Sequence, residues 1–485
     1  MSRAMVAIAD CGAAKYPAGP YSPDTRYPEY RAEIGDSPNR VYQGVRELFR
    51  LLSLDGPNFG KPGWNPLGGL IKPGTRVLLK PNLVRHYHPL GMDAIALVTH
   101  ASVIRAVCDY ALLAAGENGE VVIADAPLQS CDFKAVCRLS GLDTLMSYYA
   151  RLGKRVLLRD FRLVRAVVEG RSRFGKVIVR ESNPGDPLGY TAINLGSGSL
   201  HSGRDTSGEG YRVACYDPSN MREHHGDGRH QYIIANTLLD ADAVINLPKM
   251  KTHQKAGITG ALKNFIGING HKDCLPHHLR GASSEGGDEY MQPSKVKALD
   301  SWLQDYKDSR AGLLGKKGIA VAHRVLSSVH MREAGNSFWA GCWHGNDTIS
   351  RTTVDLNRIV RYADKSGGMC QAPQRRVLSI IDGIIAGDHD GPLAATPKPA
   401  AVLLAGEDGA AVDAVMARLM GFDYRRIPTL RHALDKEHPF PLSDFEEAGM
   451  TIRSDQPGWN GMDLTRRGKS LEFIPNEGWK GNIEL

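Results

Sequence analysis

The sequence predicts an α/β protein: a two-lobed, mainly parallel sheet flanked by helices, with a β-rich insertion. Three observations lead there. Short apolar runs of strand length alternate with stretches of helical spacing in both halves of the chain. Polar residues, among them Lys80, Asn82, Asp125 and Lys249, follow those runs directly, as they do at the carboxyl ends of parallel strands. Between 156 and 231 helical spacing gives way to short alternating runs separated by Gly, Ser and Asp. The expected organisation is an N-terminal α/β lobe (1–155), the insertion (156–231), a second α/β lobe (232–425) and a C-terminal extension (426–485).

Taken in order, 5–9 reads as a first strand and leads into a Pro- and Tyr-rich loop over 16–30. Apolar Val41, Val45, Leu48, Phe49 and Leu52 give 39–52 a helical face. The run at 76–79 is a strand, 102–115 a helix stopped by Gly116, and 121–124 the next strand, ending at Asp125. This strand–helix–strand order requires a crossover and hence parallel pairing. After the insertion, helical spacing is read at 232–239, 294–306, 319–329 and 348–363. Strands are read at 243–247, 377–381 and 401–404, the second ending in Asp382-Gly383, and a helix at 411–420.

The totals exclude several classes. The 485 residues carry a net charge of +7, too diffuse for a nucleic-acid partner without a dense Lys/Arg block and interleaved aromatics. No apolar run reaches the roughly 18 residues of a membrane span, and the N-terminus lacks a signal-peptide core, so a cytoplasmic location is expected. The eight cysteines form no C-x-x-C pair, which argues against an iron–sulfur cluster or a zinc ribbon. G-x-S-x-G, Walker, H-E-x-x-H and post-strand G-x-G-x-x-G motifs are missing too. Composition does not address the oligomeric state.

The segment 243–272 concentrates the chemistry. A buried strand is cut by Pro248, then Lys249, Lys251 and His253 occupy alternate positions. Alternate residues of an extended segment share a face. Gly257 and Gly260 flank Thr259, and a short helix carrying Lys263 and Asn264 follows. Strand, basic edge, Gly-rich turn and helix start make an anion site. Its partner would be a small anionic ligand, bound by Lys80, Asn82, Asp125, Lys249, Lys251 and Asn264. His253, Lys263 and Asp382 are the candidate catalytic groups. Asp382, at a strand end, suits a divalent metal or acid–base work. His86-x-His88 and the group His271, Asp273, Cys274, His277 and His278 are alternative metal positions. Asp347 reads as a helix N-cap, and Asp355 and Asp413 as structural residues inside helices. The cofactor is left open.

These residues also carry a resemblance. VLLKPNLV (77–84) with Thr99-His100, NLPKMKTHQKAGITGALKNFIG (246–267), LPHHLRG (275–281), GGDEY (286–290), WHGNDT (343–348), TTVDLNRI (352–359), IIDGIIAG (380–387) and AVDAVMARLMGFD (411–423) resemble the family called domain of unknown function 362, from near residue 5 to about 425. Many relatives carry ferredoxin-type cysteine motifs and this chain does not, so no electron-transfer role is carried over. The pattern from His253 through Gly257, Gly260 and Lys263 to Gly267 is also similar to that of lactate racemases, which tether a nickel-pincer nucleotide to a lysine. That likeness implies Lys263 as tether or anion clamp and His253 as a site residue. The sequence departs from it at 259–262 and at Asn264-Phe265. The expected function is an enzyme acting on a phosphorylated or carboxylated metabolite, a sugar of surface-polysaccharide metabolism being one such substrate. The alternatives are a non-catalytic binding or scaffold protein using the same pocket, and a racemase- or epimerase-like enzyme with a metal cofactor.

Overall fold

The computed structural model describes residues 4–30, 33–172, 175–213, 218–309, 318–319, 322, 325–326 and 340–485. In chain order the first strands are β1 (Met5–Asp10), β2 (Arg76–Pro81), β3 (Glu120–Asp125), β4 (Val156–Asp160), β5 (Val164–Ser172) and β6 (Gly175–Ser182). Then come β7 (Tyr190–Asn194), β8 (Tyr211–Arg212), β9 (Gln231–Ala235), β10 (Ala243–Leu247), β11 (Lys249–His253) and β12 (Gly257–Thr259). The last are β13 (His278–Leu279), β14 (Arg376–Asp390), β15 (Ala394–Gly406) and β16 (Thr451–Ser454).

Ten of these strands form one mixed, mainly parallel sheet in the order β16-β1-β15-β14-β10-β2-β3-β4, with β11 and β12 branching from β14. The neighbours β14–β10–β2–β3–β4 all run parallel, whereas β15 is antiparallel to both β14 and β1. Both halves of the sequence thus feed one sheet, with β10 seated between β2 and β14. Because side chains alternate across a strand, Val77 and Leu79 face a cluster with helices Arg40–Leu51 and Ala101–Ala115. Leu78 and Val244 face the other side, with Leu356 and Ile359 of helix Thr348–Tyr362. Ile8 and Leu404 pack on helix Gly409–Met420 on that second side. Each fully buried Leu, Ile or Val contributes about 1.5–3 kcal/mol, which is what holds a sheet covered on both faces.

The insertion forms separate small antiparallel sheets, β5–β6 and β7–β9, and β8 pairs with β13. Three expectations are corrected. Residues 232–235 are strand, not helix, because they pair with β7; the helix is only Asn236–Asp240. β14 continues far beyond 381, so Asp382 sits within a strand rather than after one, where a register shift between Gly383 and Ile385 bends the ladder with β15. Asp347 does not cap helix Thr348–Tyr362 through its side chain. Asp288 accepts from the Asp347 and Thr348 amides instead, at 3.1 and 2.8 Å, and Asp347 pairs with His432 at 2.6 Å. The helix expected over 319–329, and Cys215, lie largely or wholly outside the described residues.

Candidate functional site

The loops beyond the C-ends of β2, β3 and β10 meet under the turn between β12 and the short helix Ala261–Asn264. The fold brings Lys80, Asn82, Asp125, Lys251 and Asn264 into one bonded network. Lys80 Nζ pairs with Asp125 at 2.6 Å and donates to the Pro81 carbonyl at 2.8 Å. Lys251 Nζ donates to Asn82 Oδ1 and to the Leu97 carbonyl, both at 2.7 Å. Asn82 in turn donates to Asn264 Oδ1 at 3.0 Å, and Asn264 Nδ2 donates to the Lys80 carbonyl and to Asn246 Oδ1. Asn246, a lone amide in the apolar run of β10, also donates to the Ala261 carbonyl at 2.8 Å and so fixes the short helix. The sequence reading passed over Asn246, although a lone amide inside an apolar run is the signal that could have found it.

Lys249 and Asp382 form a second, neighbouring knot. Lys249 Nζ reaches Asp382 at 3.1 Å and Tyr16 at 2.6 Å. The Tyr16 hydroxyl donates to Asp382 at 2.8 Å, and the His100 and Ile384 amides donate to the same carboxylate. Both charged side chains are fully buried. Asp382 thus has four donors among the described residues and serves as an internal counter-ion. Tyr16 stacks on His100 at 4.0 Å. Nothing in the spacing of the Pro- and Tyr-rich loop marked Tyr16 for this place.

The remaining basic residues line the turn. His253 ends β11 at 6% exposure, and its Nδ1 accepts from the Lys255 and Ala256 amides at 3.0 and 3.2 Å. An Nδ1 that accepts leaves the ring proton on Nε2. Burial, then the charges of Lys263, His277, Lys251 and Lys255, hold the ring well below the usual histidine range, so it is neutral near pH 7. Lys263 is 9% exposed, and it alone among the six buried lysines here has no hydrogen-bond acceptor or counter-ion among the described residues. Burial, with Lys272 and Lys255 adding repulsion, pulls it down to about 7. Lys255 donates to His278 at 3.4 Å and Lys272 to the Ile266 carbonyl at 3.1 Å. Thr259 Oγ1, on the same turn, is buried without a partner among the described residues.

The helix bearing Lys263 is anchored from behind. Asp413 accepts from the Ala261 and Leu262 amides at 2.6 and 3.0 Å, capping the first turn. A Cβ at Gly260 would overlap that carboxylate, so only glycine fits there. Asp413 has this role from inside another helix, while Asp355 accepts from Tyr232 at 3.0 Å and from the Leu200 amide.

The other candidate metal positions disperse. His86 accepts from the Asp132 amide, whereas His88 is held by the Ala395 carbonyl and the Leu90 amide. Asp273 binds Gln129 and Arg180, while His277 turns to the Leu275 carbonyl. Among the described residues no group of three or more His, Cys, Asp or Glu is placed to hold a metal ion. Among them, too, no helix is long and apolar enough to cross a membrane.

The strand ends of this mixed α/β fold thus converge on a cluster of buried lysines. The chain belongs to the family described as domain of unknown function 362, whose model matches residues 153–418. It is also similar to a thylakoid-associated protein of Synechocystis sp., with 24% identity over 393 residues, covering 79% of this chain and 77% of that one. A crystal structure of a Thermotoga maritima protein aligns at 11% identity and a TM-score of 0.31, over 76% of this chain and 55% of that one.

Proposed function

We propose that the protein is an enzyme acting on a small metabolite with a phosphate or carboxylate group, bound at the turn between β12 and helix Ala261–Asn264. The observation that carries this reading is Lys263: a lysine only 9% exposed, beside Lys255 and Lys272, with no protein acceptor among the described residues. A buried ammonium without a partner is costly, and an anionic ligand removes that cost. His253, neutral and protonated on Nε2, would donate to the ligand as hydrogen-bond donor or general acid. Lys80, Asn82, Lys249, Lys251, Asn264, Asp125 and Asp382 would shape the floor, their polar groups already paired with one another. The proposed setting is the cytoplasm, where thiols such as those of Cys11 and Cys108 stay reduced.

A ligand that binds only the folded state raises its stability with concentration. Inorganic phosphate, acetate and lactate are therefore titrated in thermal unfolding against sodium chloride at matched ionic strength. At least one should raise the wild-type Tm saturably and leave Lys263→Met unaffected. Equal shifts in both proteins, or none in the wild type, overturn the reading. A non-catalytic binding protein is the second reading. It is favoured by the internal pairing of Asp382 and Asp125, which leaves no carboxylate of this network unengaged as a base.

A further inference from the structure

We infer that Lys263 is a covalent amine, condensing with the aldehyde or ketone carbon of a carbonyl-bearing anion to form an imine. This rests on the anion-site reading above and narrows it to α-keto or aldehydic carboxylates and phosphates.

Six lysines around these strand ends are buried: Lys80, Lys249, Lys251, Lys255, Lys263 and Lys272. Five of them spend the amine on a neighbour. Lys80 has Asp125, Lys249 has Asp382 and Tyr16, and Lys251 has Asn82 and the Leu97 carbonyl. Lys255 has His278, and Lys272 has the Ile266 carbonyl. Only Lys263 has nothing among the described residues. A solvated cation needs no protein partner, but a lysine at 9% exposure has lost most of its water as well. Its neighbours make matters worse, since Lys272 and Lys255 are themselves cations. Such an environment favours the neutral amine, and a desolvated lysine beside another cation is one of the ways an amine nucleophile is activated. Burial and these two charges bring it down to about 7, so a large fraction is neutral at physiological pH.

The turn also holds the amine still. Lys263 lies on a helix of four residues whose amides are capped by Asp413, and Asn357 Nδ2 donates to the Leu262 carbonyl at 2.9 Å. The backbone beneath the lysine is therefore fixed, as a nucleophile requires. The lone pair of the neutral nitrogen attacks the carbonyl carbon and a C–N bond forms. The former carbonyl oxygen takes a proton and gives a carbinolamine. The hydroxyl leaves as water after a second protonation, and the nitrogen retains one proton as an iminium. The sum is neutral amine, carbonyl compound and one proton giving iminium and water, with no oxidant or reductant. His253, with its proton on Nε2, is the neighbouring donor suited to the oxygen, and the iminium keeps a positive charge beside the bound anion.

The test uses the full-length wild-type protein with glyoxylate and cyanoborohydride, followed by peptide mapping of the carboxymethyl-lysine product. The expected result is one dominant adduct on Lys263, formed roughly tenfold or more faster than on exposed lysines, whose ordinary value near 10.4 leaves them almost wholly protonated at pH 7. Its rate should level off just above pH 7, whereas adducts on exposed lysines keep rising toward pH 10. The Lys263→Arg variant should keep any anion-dependent rise in Tm and lose the adduct. If adducts spread over surface lysines with Lys263 unmodified, while an anion still stabilises wild type but not Lys263→Met, the imine is overturned and the anion site stands. If Lys263 is unmodified and no anion stabilises the wild type, both fail.

Discussion

Lys80 and Asp125 meet at 2.6 Å with side chains 0% and 4% exposed, and Gly267 lies directly against the pair. A Cβ at 267 would overlap Asp125 Oδ1 and stand 2.6 Å from Lys80 Nζ. Neither partner has room to retreat, because Asp125 also holds the Leu83 amide at 2.6 Å. Gly267→Ala is therefore expected to destabilise by about 3 kcal/mol, at the upper end of overpacking costs. Urea unfolding measures this; a loss below about 1 kcal/mol would contradict the packing.

The same pair predicts a strongly non-additive double mutant. Removing one member of a buried ion pair leaves the other charge unpaired and costs about 3–5 kcal/mol, while an apolar pair of similar volume is often tolerated. Asp125→Leu alone should be severe, and Lys80→Met with Asp125→Leu milder than Asp125→Leu alone. A double mutant as damaged as the sum of the singles would show that the two charges are not coupled.

Lys263 gives a pH dependence of definite sign. Its ordinary value is 10.5 and burial, with Lys272 and Lys255, lowers it to about 7 in the folded protein. Between those values the unfolded chain holds a proton that the folded chain has released, so stability rises with pH through that window. The cost is fully present below about 7 and gone above about 10.5. Lys263→Met should therefore be more stable than wild type at pH 7 without added anion, and the difference should shrink toward pH 10. Unfolding midpoints at pH 7, 8.5 and 10 decide it.

Asp413 has the opposite slope. Burial raises it from 3.8 to about 7 against the amide bonds from Leu262 and Ala261. The folded chain then keeps a proton that the unfolded chain has lost, so stability falls as pH rises from about 4 to about 7 and is level above. Asp413→Asn should flatten this slope while still accepting from the helix. Asp413→Leu should cost about 2–4 kcal/mol at every pH by leaving two buried amides unpaired. Urea midpoints of both variants at pH 5 and 8 separate the two effects.

Tyr16→Phe removes the hydroxyl shared by Lys249 and Asp382. The ion pair remains, so the loss is that of hydrogen bonds to charged groups, about 1.5–3 kcal/mol. Guanidinium unfolding of Tyr16→Phe tests this; an unchanged midpoint would mean that the loop does not hold the knot.

Much of the candidate site was legible because its residues follow strand ends. Lys80, Asn82 and Asp125 sit just beyond or at the close of apolar runs, and the structure brings them to one place. The Gly-rich turn marked Lys263, since Gly260 is needed where Asp413 approaches. Asp382 was misplaced locally because Gly383 resembles a strand stop, whereas β14 absorbs it in a register shift. Asp288 displaced Asp347 as a cap because a carboxylate remote in sequence can reach the same amides.

The sequence by itself determined the α/β alternation, the basic turn and the family to which they belong, since periodicity and spacing are properties of neighbouring residues. Only the tertiary structure decided which charges are spent. Lys249 and Lys251 read the same as Lys263 along the chain, yet each finds an acceptor more than a hundred residues away, in Asp382 and in Asn82. Pairing is set by which loops the sheet order brings together. That order left Lys263 beside other cations without an acceptor among the described residues, and so made it the reactive candidate.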